Sequence, residues 1–202
     1  LVGGGYGTAS GTSFSTPYVA GVAALILQKH PDWTPEMVRA VLMNTATPLK
    51  GYRLVTQGAG ALNKDRAVAA EVLAMPPSLS FGLVTEGSAT AREITLSNTG
   101  SEAVTLGLSA GTSVYKGEAY PWTHKTFSAC DPWEQGNDYE TWMADCRELV
   151  TTSTVVQVTP QQVTVPAGGS QTITVEAGPF TEAEPGGWYE GRVAVAFSGG
   201  SE

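Results

Sequence analysis

The sequence predicts two units in series, a helical unit over residues 1–75 and an all-β sandwich over 76–202. Three observations carry this division. Apolar residues recur with a helical period as far as the low seventies and with a period of two beyond. Met75-Pro76-Pro77 interrupts the chain where the period changes, as a linker would. The charge divides at the same point: residues 1–75 hold six Lys or Arg and four Asp or Glu, whereas 76–202 hold five and fifteen.

The first helix is expected over 13–30. Val19, Val22, Ala23, Ile26 and Leu27 follow the i, i+3, i+4, i+7, i+8 spacing, and Pro17 sits early enough to be tolerated. Nearly every position from 19 to 27 is apolar, so burial on most sides is expected, with Gly21 permitting close approach of a neighbour. His30-Pro31 ends the helix, with His30 placed to satisfy carbonyls of the last turn. A second helix is expected over about 35–45, with Thr34 as N-cap, Pro35 in the first position and Glu36 in the first turn. A third should begin near Asn63 and run to about Leu73.

Beyond the linker the strand candidates are 78–83, 93–98, 104–109, 155–159, 162–165, 171–177 and 192–197. Asn98-Thr99-Gly100-Ser101 and Pro166-Ala167-Gly168-Gly169 supply turns. Seven short strands without a helical pattern predict a sandwich. The stretch 111–150 fits no strand pattern and reads as a long insertion holding three of the five Trp.

The composition limits the function. A hydrophobic content of 42% with 15% charged residues is that of a globular protein. No apolar run is long enough to span a bilayer. The acidic second unit argues against a nucleic-acid partner, which needs a basic surface. The chain opens at Leu1 in a glycine-rich loop without an initiator Met or leader, which reads as a cut into a longer protein.

The run Gly11-Thr12-Ser13-Phe14-Ser15-Thr16-Pro17-Tyr18-Val19-Ala20-Gly21 sets a serine between a glycine-rich loop and an apolar helix. A hydroxyl there has unpaired N–H groups and the positive end of the helix dipole beside it. Two readings follow: Ser13 is a nucleophile, or it only caps the helix.

With His30-Pro31, Val38-Arg39, Leu42-Met43-Asn44-Thr45-Ala46, Gly58-Ala59-Gly60 and Ala67-Val68, the run resembles the C-terminal part of a subtilisin-like serine protease catalytic domain. The resemblance covers residues 1–73, about a third of the chain. It implies an α/β unit, the last helices of a doubly wound parallel-sheet domain, and a serine-type endopeptidase acting through an acyl-enzyme on Ser13. Ser13 would also give a backbone oxyanion donor, Thr12 oxyanion support, and Gly11 room for substrate backbone. Phe14 stands where many members of the family carry an oxidisable Met.

In this family the triad runs Asp, His, Ser, so both partners and the oxyanion Asn are expected upstream of Leu1, and the chain alone is expected to be inactive. His30 lies a helix length of about 25 Å from Ser13 and cannot be its base. His124 falls in the insertion, Asn44 lies too far along, and Asp32 and Asp65 fit a turn and a helix start. The expected partners are a protein or peptide substrate and the upstream part of the same protease domain, with no nucleic acid and no membrane span.

The second unit resembles the immunoglobulin- or fibronectin-III-like sandwiches that follow the catalytic domain in large secreted or cell-envelope subtilases. Val158-Thr159-Pro160, Val165-Pro166-Ala167-Gly168-Gly169-Ser170 and Tyr189-Glu190-Gly191 carry that likeness. A secreted setting favours a Cys130–Cys146 disulfide over two free thiols, with a loop-closure gain of roughly 3 kcal/mol. The chemistry requires no cofactor. Asp131, Glu134, Asp138, Glu140 and Asp145 suit calcium as oxygen donors, but their spacing matches no EF-hand loop and locates no metal ligand. Two other readings stay open: a non-catalytic adhesion or binding module in 76–202, and a degenerate pseudoprotease.

Overall fold

The computed structural model describes residues 10–49, 52, 54–83, 85–115, 150–153, 155–180 and 188–197. Cys130, Cys146, His124 and the acidic cluster of the insertion lie outside the described residues.

Helix α1 spans Thr12–Lys29 and α2 spans Pro35–Asn44. The second helix starts on local chemistry: Thr34 Oγ1 accepts from the Met37 N–H at 3.3 Å, Pro35 leads, and Glu36 lies in the first turn. The Glu36 carboxyl is held below its ordinary pKa, first by its own backbone N–H and then by the Thr34 side chain. A single turn, α3 (Leu54–Gln57), precedes α4 (Lys64–Ala69), which the Asn63 side chain caps by accepting from the Arg66 N–H at 3.0 Å. Gly60 sits at φ +122, and a Cβ there would strike the Thr47 carbonyl, so the Thr47–Ala61 bridge requires glycine.

The third helix is shorter than its sequence predicts. It stops at Ala69, and Val72–Met75 is strand β1, paired antiparallel with β2 (Thr90–Asn98) from Val72↔Asn98 to Met75↔Thr95. Tertiary bonds override the helical pattern. Lys29 Nζ donates to the Val68 carbonyl at 3.0 Å, while the Glu71 carbonyl accepts from the Thr99 N–H at 2.8 Å and its hydroxyl at 3.0 Å.

Of the expected strands, 78–83 forms none. Pro76 and Pro77 have no N–H to give, yet Leu79 and Phe81 still pack on the sandwich core. The others appear within β2, β3 (Val104–Tyr115), β5 (Val156–Thr159), β6 (Gln162–Val165), β7 (Ser170–Ala177) and β8 (Trp188–Phe197). Strand β3 continues through 111–115, and β4 (Val150–Ser153) pairs with its end, so strand structure reaches into both ends of the expected insertion.

One antiparallel sheet has the order β1-β2-β7-β5. In the other, β3 is central, with β4 and β6 along one edge and β8 along the other. Ile94, Leu96, Ile173, Val175 and Val158 of the first sheet meet Leu106, Leu108 and Val165 of the second in one buried core. A second core joins Val22, Ile26, Trp33, Val38, Val41 and Ala67 to Leu73. Strand β1 therefore serves both cores: Leu73 faces the helices, while Val72 and Ala74 pack on the sandwich. No helix among the described residues is long and apolar enough to cross a membrane.

Candidate functional site

The motif residues lie on the first turn of α1. Gly11 is the N-cap at φ 151 and makes no side-chain cap bond; Thr12 opens the helix and Ser13 follows. The Gly11 carbonyl accepts from the Phe14 N–H at 3.0 Å and the Ser15 N–H at 3.3 Å. Those bonds leave the Thr12 and Ser13 N–H groups without a partner among the described residues. The Thr16 hydroxyl turns back to the Thr12 carbonyl at 2.9 Å. No capping bond occupies the Ser13 hydroxyl, and residues 10–21 are all exposed. An exposed hydroxyl beside free N–H groups can act as a nucleophile whose own backbone donor faces a developing oxyanion.

The helix carrying this turn is less covered than its sequence predicts. Val22 and Ile26 are buried, whereas Phe14, Tyr18, Val19, Leu25 and Leu27 are exposed, Phe14 at 58%. The expected close neighbour of Gly21 is absent among the described residues, with nothing within 4 Å of a Cβ built there.

His30 lies at the far end of α1 as its C-cap, where its backbone satisfies a last-turn carbonyl as expected. Its backbone N–H donates to the Ile26 carbonyl at 2.8 Å, but its ring stacks on Trp33 with centroids 4.0 Å apart and planes 8° apart. His30 Nε2 is buried with no partner among the described residues. Burial first, and Lys29 second, hold its pKa below the ordinary value, with Glu71 opposing.

The other excluded candidates have structural work. Asn44 Oδ1 accepts from the Ala74 N–H at 2.8 Å on the edge of β1, and Asp65 pairs with Lys64 at 2.6 Å on an exposed surface. Among the described residues no three His, Cys, Asp or Glu gather as a metal site. Two side chains outside the motif bridge the units. Glu190 Oε2 accepts from the Leu54 N–H at 2.7 Å, and Arg192 Nη1 donates to the Ala59 carbonyl at 3.0 Å. A buried acid two residues from an arginine on a strand is the pattern that marks them.

Residues 1–68 match the subtilase family, and residues 83–202 match an Fn3-like domain. The chain is 41% identical over 83 residues to the minor extracellular protease Vpr of Bacillus subtilis, covering 39% of this chain and 10% of that protein. It is 48% identical over 67 residues to the serine protease AprX of the same organism, covering 33% and 15%. It is 61% identical over 49 residues to subtilisin E, also of Bacillus subtilis, covering 24% and 13%. The chain thus spans between a tenth and a sixth of the length of these three relatives. Over residues 83–202, more than half of its length, the chain is an Fn3-like domain, and over residues 1–68 it is similar to the subtilase family.

Proposed function

We propose that this chain supplies the nucleophile-bearing end of a secreted or cell-envelope serine endopeptidase. The observation that carries the reading is the exposed Ser13 in the first turn of α1, where the Thr12 and Ser13 N–H groups have no acceptor among the described residues. In the reaction Ser13 Oγ attacks the scissile carbonyl while its proton passes to a histidine base. The Ser13 N–H, with support from Thr12, faces the oxyanion, and Gly11 leaves room for the substrate backbone. Collapse of the tetrahedral intermediate expels the amine, which takes up the proton from the histidine. Water then attacks the acyl-enzyme by the same route and restores Ser13. The substrate is a protein or peptide, and this chemistry needs no cofactor.

The base and its orienting aspartate come from a part of the protease domain outside this chain. Among the described residues His30 is the one imidazole, and it stands about 25 Å from Ser13 at the other end of α1. A fluorophosphonate probe tests the reading on the full-length protease. Labelling of the wild type, and none of Ser13→Ala, is expected. Equal labelling of the two proteins would remove Ser13 from the nucleophile role. The 202-residue chain alone is expected to hydrolyse no peptide, and turnover abolished by Ser13→Ala would place a base within it.

A further inference from the structure

The subtilase part touches both sheets of the sandwich. At the first sheet the contact is α2, whose Asn44 accepts the Ala74 N–H of edge strand β1, itself paired with β2. At the second sheet the contact is β8. Successive side chains of a strand alternate, so Glu190 and Arg192 share the face opposite Val193, which packs on the sandwich core. That face meets the segment 54–61. Glu190 is only 7% exposed, and burying a carboxylate is tolerable only when it is hydrogen-bonded. It accepts from the Leu54 N–H at 2.7 Å at the start of the segment. Arg192 donates to the Ala59 carbonyl at 3.0 Å and reaches the Gly58 carbonyl at 3.5 Å at its other end. Both contacts are charge-assisted.

The segment between them is braced. Gln57 Oε1 accepts from the Leu49 N–H at 2.7 Å, and Gln57 Nε2 donates to the Leu49 carbonyl at 3.1 Å and the Tyr52 carbonyl at 2.6 Å. The Thr47–Ala61 bridge closes its base. A stiff block held at both ends transmits position, which a floppy loop does not.

We propose that Glu190 and Arg192 form a two-point latch that locks segment 54–61 of the subtilase part onto β8. The contacts around β1 hold the first sheet, and the latch adds an attachment on the second sheet, away from that strand. The Fn3-like domain is then a fixed wall of the protease, not a module carried on a linker.

Hydrogen exchange on the full chain tests the latch. In Glu190→Ala and in Arg192→Ala the amides of 54–61 are expected to exchange at least tenfold faster. The β2–β7 ladder, Thr90–Asn98 with Ser170–Ala177, should keep its protection. Unchanged rates in 54–61 with that ladder intact would overturn the latch. Should a β8 substitution unprotect the ladder, Leu54→Pro decides. It removes the donor from the subtilase side, at a first helical position that proline tolerates, and leaves β8 untouched. Faster exchange of the facing amides 189–193 is then expected, and unchanged rates there would overturn the proposal.

Discussion

His30 shows how one neighbour changes what a residue does. A histidine after a helix has carbonyls within reach, but Trp33 three residues on offers a flat apolar surface, and the ring lies on it at 4.0 Å. Burial disfavours the imidazolium, so the folded pKa falls below 6.5. As pH drops, the unfolded chain takes up the proton first. The stability contribution is therefore present above about 6.5 and is lost as pH falls from there through the lowered folded value. His30→Phe keeps a ring on the indole and removes the titration. Denaturant midpoints at pH 8 and pH 5 should differ less in His30→Phe than in the wild type. Equal differences would mean that other groups set the pH response. The place of Ser13 in the first turn of α1 was legible in sequence because its surroundings are consecutive: a glycine, two hydroxyl residues and a helix. Glu190 and Arg192 were not, because their partners lie more than 130 residues away in the chain.

Among the elements, the turn after β2 is held by one side chain. Asn98 is 2% exposed, and its Nδ2 donates to the carbonyls of Glu102 at 2.7 Å and of Val165 and Pro166 at 3.2 Å. Its Oδ1 accepts from the Gly100 N–H at 2.9 Å. One amide thus ties the β2–β3 turn to the β6–β7 turn across the two sheets. Asn98→Ala strands the Val165 carbonyl and the Gly100 N–H, and a loss of about 2–4 kcal/mol is expected in chemical denaturation. A loss below about 0.5 kcal/mol, the level of an ordinary surface change, would show that water replaces the amide. The elements legible in sequence are those whose causes are local. Helix α2 has its cap, its proline and its acid within three residues, and the alternation of β7 between exposed and buried residues matches one buried face. The start of strand β1 falls inside the span expected to be helical, which runs to about Leu73. Its strand state comes from β2, Thr99 and Lys29, none of which a local window contains.

The whole molecule has two cores of unequal completeness. The sandwich core is covered by two sheets, whereas the helical core is seven buried residues, one of them Leu73 from β1. Around it α1 leaves Phe14, Tyr18, Val19, Leu25 and Leu27 open, the last four between 40% and 51% exposed. A set of large apolar side chains gathered on one helix calls for cover, and in the proposed protease the cover is the remainder of the subtilase domain. Beyond their own core, the helices are supported by the sandwich: β2 pairs with β1, Thr99 holds the Glu71 carbonyl, and Glu190 and Arg192 hold segment 54–61. Residues 1–75 produced alone would lose all of these contacts and keep the open face of α1. They would also expose Val72 and Ala74, which pack on the sandwich core. The unpaired edge of β1 would then add a template for self-association. Residues 1–75 are therefore expected to aggregate or stay unfolded. Light scattering on a sizing column should show multimers or an expanded chain, and heating should give no cooperative transition. A compact monomer of 1–75 with a cooperative melt would mean that the helices need neither the sandwich nor any other cover on α1.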